Sequence, residues 1–236
     1  MRRRSRISFA IAWLAPVLLP GVSCSSTQRA PEQPVPTHEE PYHRLVYQNE
    51  LVRVLDIEVP AGAVTRYHVH GNPLVTVTVR DARTWAQAPG AERGAVTAAG
   101  VVPGVGDNWD QPLPYTHRVG NVDSVSFRRI GAEWLAASGL DCPALAALPG
   151  YRLVREARYG RVYEVRLRPG EVTTQHRHAC PGLTVVGSGS MRADGTAPVA
   201  AAGSGVGSWS WRDAGHQHVI RNDGTTTLVL YEVDWR

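Results

Sequence analysis

The sequence predicts an all-β protein built from two tandem domains of about 100 residues each. Three observations carry that expectation. The 236-residue chain holds 23 glycines and 17 prolines, and short Val/Thr/Leu segments lie between these breakers, which favours short strands over long helices. The two halves of the chain repeat one another. Each half also carries a His-x-His pair, a spacing that suits a strand, where successive side chains alternate between faces.

The repeat is read at a shift of 108 residues, at which Arg44, Leu45 and Val46 fall on Arg152, Leu153 and Val154. Arg53 and Val54 match Arg161 and Val162, Gly62 matches Gly170, and Val64 and Thr65 match Val172 and Thr173. His68 and His70 then fall on His176 and His178, and Thr76 and Val77 on Thr184 and Val185. Later the shift drops to 101, pairing His117 with His218, Asn121 with Asn222, and Glu133, Trp134 with Asp234, Trp235. A loop seven residues shorter in the second copy accounts for the change. Self-similarity on this scale means one structural unit made twice.

In chain order, Arg2, Arg3, Arg4 and Arg6 precede an apolar run from Ile7 to Leu19, the arrangement of a secretory signal. The run is short for a membrane span and is interrupted by Pro16, with Pro20 just beyond it. Removing the four leader arginines takes the formal charge from +4 to about zero, so no nucleic-acid surface is expected. Gly21, Val22, Ser23 and Cys24 are followed by a polar, proline-rich stretch. This resembles a bacterial lipoprotein signal over residues 1–24, with Gly21 where such signals usually have Leu. The resemblance implies lipidation of Cys24, and a cell-envelope location in which a lipid anchor is the sole membrane contact. Residues 25–41 are expected to be a disordered tether in which His38 and His43, at its edge, are solvated. Residues 42–137 form the first domain, 138–150 a connector whose alanines and leucines suit a short helix, and 151–236 the second domain.

Every basic residue is arginine, which excludes Schiff-base and lysine general-base chemistry. The nine histidines hold the chemistry instead. In each half the pair on one strand is joined by a third histidine 40 to 50 residues later, giving His68, His70 and His117, and His176, His178 and His218. Three imidazoles so arranged can hold an Fe(II), Mn(II), Ni(II) or Zn(II) ion with positions left open for water, substrate or oxygen. His216 lies two residues before His218, either as a replacement ligand or as a pocket-lining side chain. Arg66, Tyr67, Tyr115 and Gln175 adjoin the ligands, and Trp109, Trp209 and Trp211 precede the third histidine. All are candidate pocket residues, the tryptophans being equally readable as core. Asn121 and Asn222 read as turn-forming amides.

These motifs resemble those of the cupin superfamily, here in a two-domain bicupin arrangement covering residues 42–236. Gly62 to His68 and Gly170 to His176 match the first motif. Gly106, Pro112, His117 and Asn121 match the second, with Pro114 replacing its inner glycine; Gly207, Gly215, His218 and Asn222 match it again, with Asp213 replacing proline. The resemblance implies two small antiparallel jelly-roll barrels, each closing over one site. The glutamate usual in the first motif is missing, since Leu74 and Val75, and Gly182 and Leu183, stand in its place. Two sites of three neutral ligands are therefore expected, favouring an anionic or chelating substrate; they resemble three-histidine dioxygenases of that superfamily.

Cys142 and Cys180 remain once Cys24 is assigned to the signal, and in an oxidising compartment they are expected to pair. The leading function is a metal-dependent dioxygenase, Fe(II) favoured, acting on a small anionic or dicarbonyl molecule. The other class is a non-catalytic small-ligand-binding or scaffold protein of the cell envelope. A monomer or homodimer fits either.

Overall fold

The computed structural model describes residues 32–145 and 147–236, so the leader and Cys24 lie outside the described residues. Two barrels follow one another. Barrel 1 comprises β1 (Val35–Pro36), β2 (His43–Gln48), β3 (Val52–Val59), β4 (His68–His70), β5 (Leu74–Arg80), β6 (Thr84–Gln87), β7 (Gly104–Asp107), β8 (Tyr115–Asn121) and β9 (Phe127–Trp134). Barrel 2 comprises β10 (Tyr151–Ala157), β11 (Gly160–Leu167), β12 (His176–Arg177), β13 (Gly182–Ser188), β14 (Arg192–Gly195), β15 (Ala200–Ala202), β16 (Trp209–Arg212), β17 (Gln217–Arg221) and β18 (Leu228–Trp235). The sheet orders are β2-β3-β9-β5-β7 and β1-β4-β8-β6 in barrel 1, and β10-β11-β18-β13-β16-β15 and β12-β17-β14 in barrel 2. Apart from β1 and β15, every strand has a counterpart in the other barrel, so the sequence repeat is a repeat of topology.

The motif residues build each barrel's mouth. Gly62 and Gly170 turn the chain at φ 69° and 80°, a left-handed conformation that favours glycine. Thr65 and Thr173 then brace the approach to the histidine pair, their hydroxyls accepting from the amides of Val119 (2.8 Å) and Ile220 (2.9 Å). After the third ligand, Asn121 donates to the carbonyls of Val59, Pro60 and Val125 at 2.8–3.1 Å. Asn222 donates likewise to Leu167 and Thr226 at 2.9 and 2.8 Å. Both are turn-forming amides.

Each barrel has its own apolar filling, Leu55, Ile57, Val59 and Phe127 in barrel 1 and Val165, Leu167, Ile220 and Leu230 in barrel 2. A larger core lies between them, where Val75, Val77 and Ile130 meet Val185, Tyr231 and Val233. Trp109, Trp209 and Trp211 belong to this shared core. The terminal tryptophans cross over: Trp134 Nε1 donates to the Arg236 carbonyl (3.1 Å), and Trp235 Nε1 to the Leu51 carbonyl (3.3 Å).

Two expectations are corrected. The stretch assigned to a disordered tether is ordered from Val35 onward: β1 pairs in parallel with β4, Val35 opposite His68. A short 3₁₀ turn at Thr37–Glu39 follows. Thr37 fixes this strap by donating to the Val69 carbonyl at 2.7 Å. The connector, residues 138–150, contains no helix among its described residues. Tethering to barrel 2 replaces helical bonding there, since Cys142 is disulfide-bonded to Cys180 and the Leu145 amide donates to the Tyr163 hydroxyl at 3.0 Å.

The amides of Asn121 and Asn222 yield a direct test. Asn121→Ala strands three carbonyl acceptors and is expected to lower the unfolding free energy by about 2 kcal/mol in urea titration. A loss under about 0.5 kcal/mol would show that the amide carries no structural weight.

Candidate metal centres

Register brings the three histidines of each barrel together. His68 pairs directly with His117 across β4 and β8, and His176 with His218 across β12 and β17. The strand period of two then returns His70 and His178 to the same face. In both barrels the ligating atoms converge to within 4.8 Å of one another, and in barrel 2 a fourth residue, Glu232, joins them.

In barrel 2 the His218 Nε2 lies 2.9 Å from His176 Nε2 and 3.3 Å from His178 Nε2. Glu232 Oε2 stands 3.3 Å from His178 Nε2, and Oε1 stands 3.3 Å from His218 Nε2. Backing partners orient each ring. His176 Nδ1 meets the Thr174 carbonyl at 3.0 Å, and His178 Nδ1 meets Asp234 Oδ1 at 2.8 Å. Both acceptors require N–H at Nδ1, which leaves the Nε2 lone pairs aimed at the common point. Asp234 is itself held by Arg212 at 2.6 Å. Glu232 is fully buried, held by Thr184 (3.0 Å) and by the Tyr151 hydroxyl (2.8 Å), which also lies 2.8 Å from His176 Nε2.

The electrostatics follow. Burial would raise the Glu232 pKa, but His178 and His218 outweigh it and hold the carboxyl well below the usual range. Burial and Arg212 act to lower the His178 pKa, yet Glu232 and Asp234 raise it overall. Burial brings His218 down to about 3, with Glu232 opposing. Four buried donors of this chemistry, three imidazoles and one carboxylate, fit a divalent ion.

Barrel 1 is the same cradle with fewer attachments. His70 Nε2 lies 3.1 Å from His117 Nε2, and His68 Nδ1 meets the Arg66 carbonyl at 3.0 Å. His70 Nδ1, by contrast, is buried without a partner. The counterpart of Asp234 is Glu133, which pairs with Arg53 at 2.6 Å instead. The counterpart of Glu232 is Gly131, shown by register: Gly131 pairs with Thr76 as Glu232 pairs with Thr184. The space is a cavity of about 210 Å³ lined by the three histidines together with Tyr115, Phe127 and Arg129. Burial and the neighbouring histidines push His70 down to about 2; burial, His68 and Arg129 push His117 down to about 4. Neutral imidazoles at neutral pH are the form that ligates metal.

The remaining candidates divide. Tyr115 lines the barrel 1 cavity, its ring stacked on His70 at 4.6 Å. His216 lies beside His218 (4.9 Å between rings) and lines a groove of about 620 Å³ in barrel 2, outside the ligating set. The others do not form a pocket with the histidines. The Arg66 guanidinium turns away to the Gln33 carbonyl (3.3 Å), Tyr67 lies under Arg118, and Gln175 is exposed. Trp209 and Trp211 alternate with Ser210 and Arg212 along β16, and it is this second pair that turns toward the barrel 2 site. Trp109 is core for the reason given above.

Two sequence readings are overturned. His43 is not solvated: it is buried on β2, its ring 4.8 Å from His68 and Nδ1 bonded to the Thr37 carbonyl (2.8 Å). It occupies the register of Tyr151, opposite Ile57 as Tyr151 is opposite Val165. The expectation of no carboxylate ligand fails in barrel 2, because Glu232 supplies one from the last strand. Parity could have found it, since Glu232 lies two residues before Asp234 and so shares its face.

Neither a protein-family model nor a curated protein matches this sequence. Solved structures do match. The oxalate decarboxylase of Lactobacillus farciminis, in its formate complex, aligns with a TM-score of 0.55 at 11% identity over 80% of this chain and 78% of its own. The salicylate 1,2-dioxygenase of Pseudaminobacter salicylatoxidans gives 0.54 at 12% identity over 80% and 72%. The Bacillus subtilis oxalate decarboxylase studied for its Mn(II) centres gives 0.50 at 12% over 79% and 69%. At such identities the likeness establishes the fold alone, two cupin-type barrels in tandem.

Two outcomes are expected at these sites. Asp234→Asn and Glu232→Gln should each weaken metal uptake by barrel 2 about 10- to 100-fold in competition with a chelator, and unchanged affinity would dismiss both residues. In metal-stripped protein, His43 (about 3), His117 (about 4) and His218 (about 3) lie below the ordinary histidine value. The unfolded chain therefore binds more protons below about pH 6.5, so stability is full above that pH and lost as it falls toward 4. His178, shifted upward, offsets part of this. The Tm should drop by about 5 °C or more between about pH 7 and 4.5; a flat profile would contradict the buried neutral state.

Proposed function

We propose that this protein is an exported, metal-dependent double cupin that acts on a small anionic or dicarbonyl molecule as an oxygenase. The supporting observation is the convergence of His176, His178, His218 and Glu232 on one buried point, repeated in barrel 1 by His68, His70 and His117 beside a cavity. A divalent ion held there, with Fe(II) favoured and Mn, Ni or Zn as alternatives, would supply Lewis acidity and, as iron, access to oxygen chemistry. Barrel 1 is the reacting site in this reading, because Gly131 stands where barrel 2 has Glu232 and no protein carboxylate joins its three histidines. There Tyr115 and Phe127 wall the ligand, and Arg129 supplies the cavity's positive charge. Barrel 2 holds its ion more tightly through Glu232 and Asp234 and lends the fold rigidity. The oxalate and salicylate enzymes that share the fold are named for carboxylic acids, in keeping with an anionic substrate.

Export and lipidation at Cys24 belong to the same proposal. Support comes from the order of arginines, apolar run, small residues and cysteine in the leader, and from the Cys142–Cys180 disulfide, which fits an oxidising compartment.

The function is tested by metal analysis of the mature chain expressed with metal supplementation. One to two ions per chain are expected, with His117→Ala and His218→Ala each removing the share of its own barrel. Fewer than about 0.2 ions per chain would end the metal reading. Metal-replete protein that consumes no oxygen with any of a panel of small carboxylates and diketones would favour the non-catalytic binding role.

A further inference from the structure

Tyr151 opens β10, paired opposite Val165 of β11, and its ring reaches the histidine cradle of barrel 2. There its hydroxyl oxygen lies 2.8 Å from His176 Nε2 and 2.8 Å from Glu232 Oε2. One hydroxyl proton cannot serve both contacts. His176 has none to lend in the neutral form that ligates metal, since its Nδ1 carries the N–H that meets the Thr174 carbonyl at 3.0 Å and its Nε2 bears a lone pair. Whichever acceptor the hydroxyl serves, the other faces the phenol oxygen lone pair to lone pair at 2.8 Å. The same crowding recurs between His176 and His218, whose Nε2 atoms stand 2.9 Å apart. Buried acceptors packed in this way are costly unless a cation belongs between them.

We infer that the phenol oxygen of Tyr151 is a fifth protein ligand of the barrel 2 ion, bound as phenolate beside His176, His178, His218 and Glu232. The inference rests on the metal reading above and specifies the ligand set of its second site. Spacing carries it. Ligands held at about 2.0–2.2 Å from one ion and at right angles to each other stand about 3 Å apart, and the phenol oxygen keeps that spacing to one nitrogen and one carboxylate oxygen of the set. A hydroxyl serving Glu232 alone leaves the contact with His176 unexplained. On ligation the phenol O–H bond breaks, the oxygen keeps the electron pair for the ion, and the proton leaves to solvent. Glu232 and the phenolate then set two negative charges against the ion, where the barrel 1 triad sets none. Barrel 1 has no equivalent ligand, because His43, at the register of Tyr151, is bonded to the Thr37 carbonyl and lies outside the ligating set. Barrel 2 is thereby a nearly closed site whose negative charge favours retention of the ion and of a trivalent state once it is oxidised.

The test uses the full mature chain with His117→Ala, which confines iron to barrel 2. This parent protein is loaded with Fe(II), oxidised with ferricyanide and desalted, and its iron content is measured. Bound Fe(III) is expected to show a visible charge-transfer band whose resonance Raman spectrum carries phenolate ring modes, which imidazole and carboxylate ligands cannot produce. Ring-deuterated tyrosine should shift those modes. Tyr151→Phe should bleach the band while iron remains bound, and Zn(II) uptake by this variant should release about one proton fewer per ion than uptake by the parent. Iron-loaded parent without phenolate modes, or a band that survives Tyr151→Phe, would overturn the assignment; the first of these is read on the parent alone, whether or not the variant folds. An iron content below about 0.2 per chain in the parent would instead strike down the metal reading of barrel 2, and the ligand with it.

Discussion

The carboxylate of Glu232 has no contact with water, and much of barrel 2 is organised around that fact. A buried charge is tolerated only when every lone pair is answered. Here Thr184 and Tyr151 donate to it, its remaining lone pairs share with the Nε2 atoms of three imidazoles the point where a cation would answer them, and the neighbouring Asp234 is answered in turn by Arg212 and His178. These partners come from β10, β12, β13, β16, β17 and β18, so one carboxylate fixes the relation of six strands. The cradle is held from several strands at once, and the point its acceptors share is left for a cation.

Barrel 1 shows what the same scaffold becomes without that anchor. Gly131 takes the place of Glu232, His43 takes the place of Tyr151, and the carboxylate that backs His178 has moved, as Glu133, to Arg53. Each change removes a fixed internal partner from the histidine triad. What is lost in preorganisation appears as the cavity beside the triad. The strap Val35–Glu39 compensates in part, since Thr37 holds both His43 and the backbone of the His-x-His strand.

How far the sequence revealed this follows from which features are local. The histidine triads, the motif glycines and the turn asparagines lie at fixed spacings along the chain, and strand periodicity turns such spacings into faces. Glu232 comes from a strand more than fifty residues beyond His178, so only the pairing of β13 with β18 brings it in. Arg129 and His43 were missed for the same reason, their roles being set by which strands pair. Arg66 and Gln175 misled in the opposite way: adjacency in sequence placed them beside ligands, while the backbone turned their side chains outward. The tryptophans were ambiguous because pocket wall and core need the same side chain. Between two barrels that share a face, core was the stronger demand.

The exchange of terminal tryptophans sets the order in which the protein can be completed. Trp134 closes β9, yet its indole N–H is satisfied by the carbonyl of Arg236, the last residue of the sequence, while Trp235 reaches back to Leu51. A ribosome delivers barrel 1 first. Its face in the shared core and its closing tryptophan are covered only once barrel 2 has folded against it. Barrel 1 is therefore completed by contacts that barrel 2 supplies, and the two closing tryptophans are satisfied only when both barrels are in place.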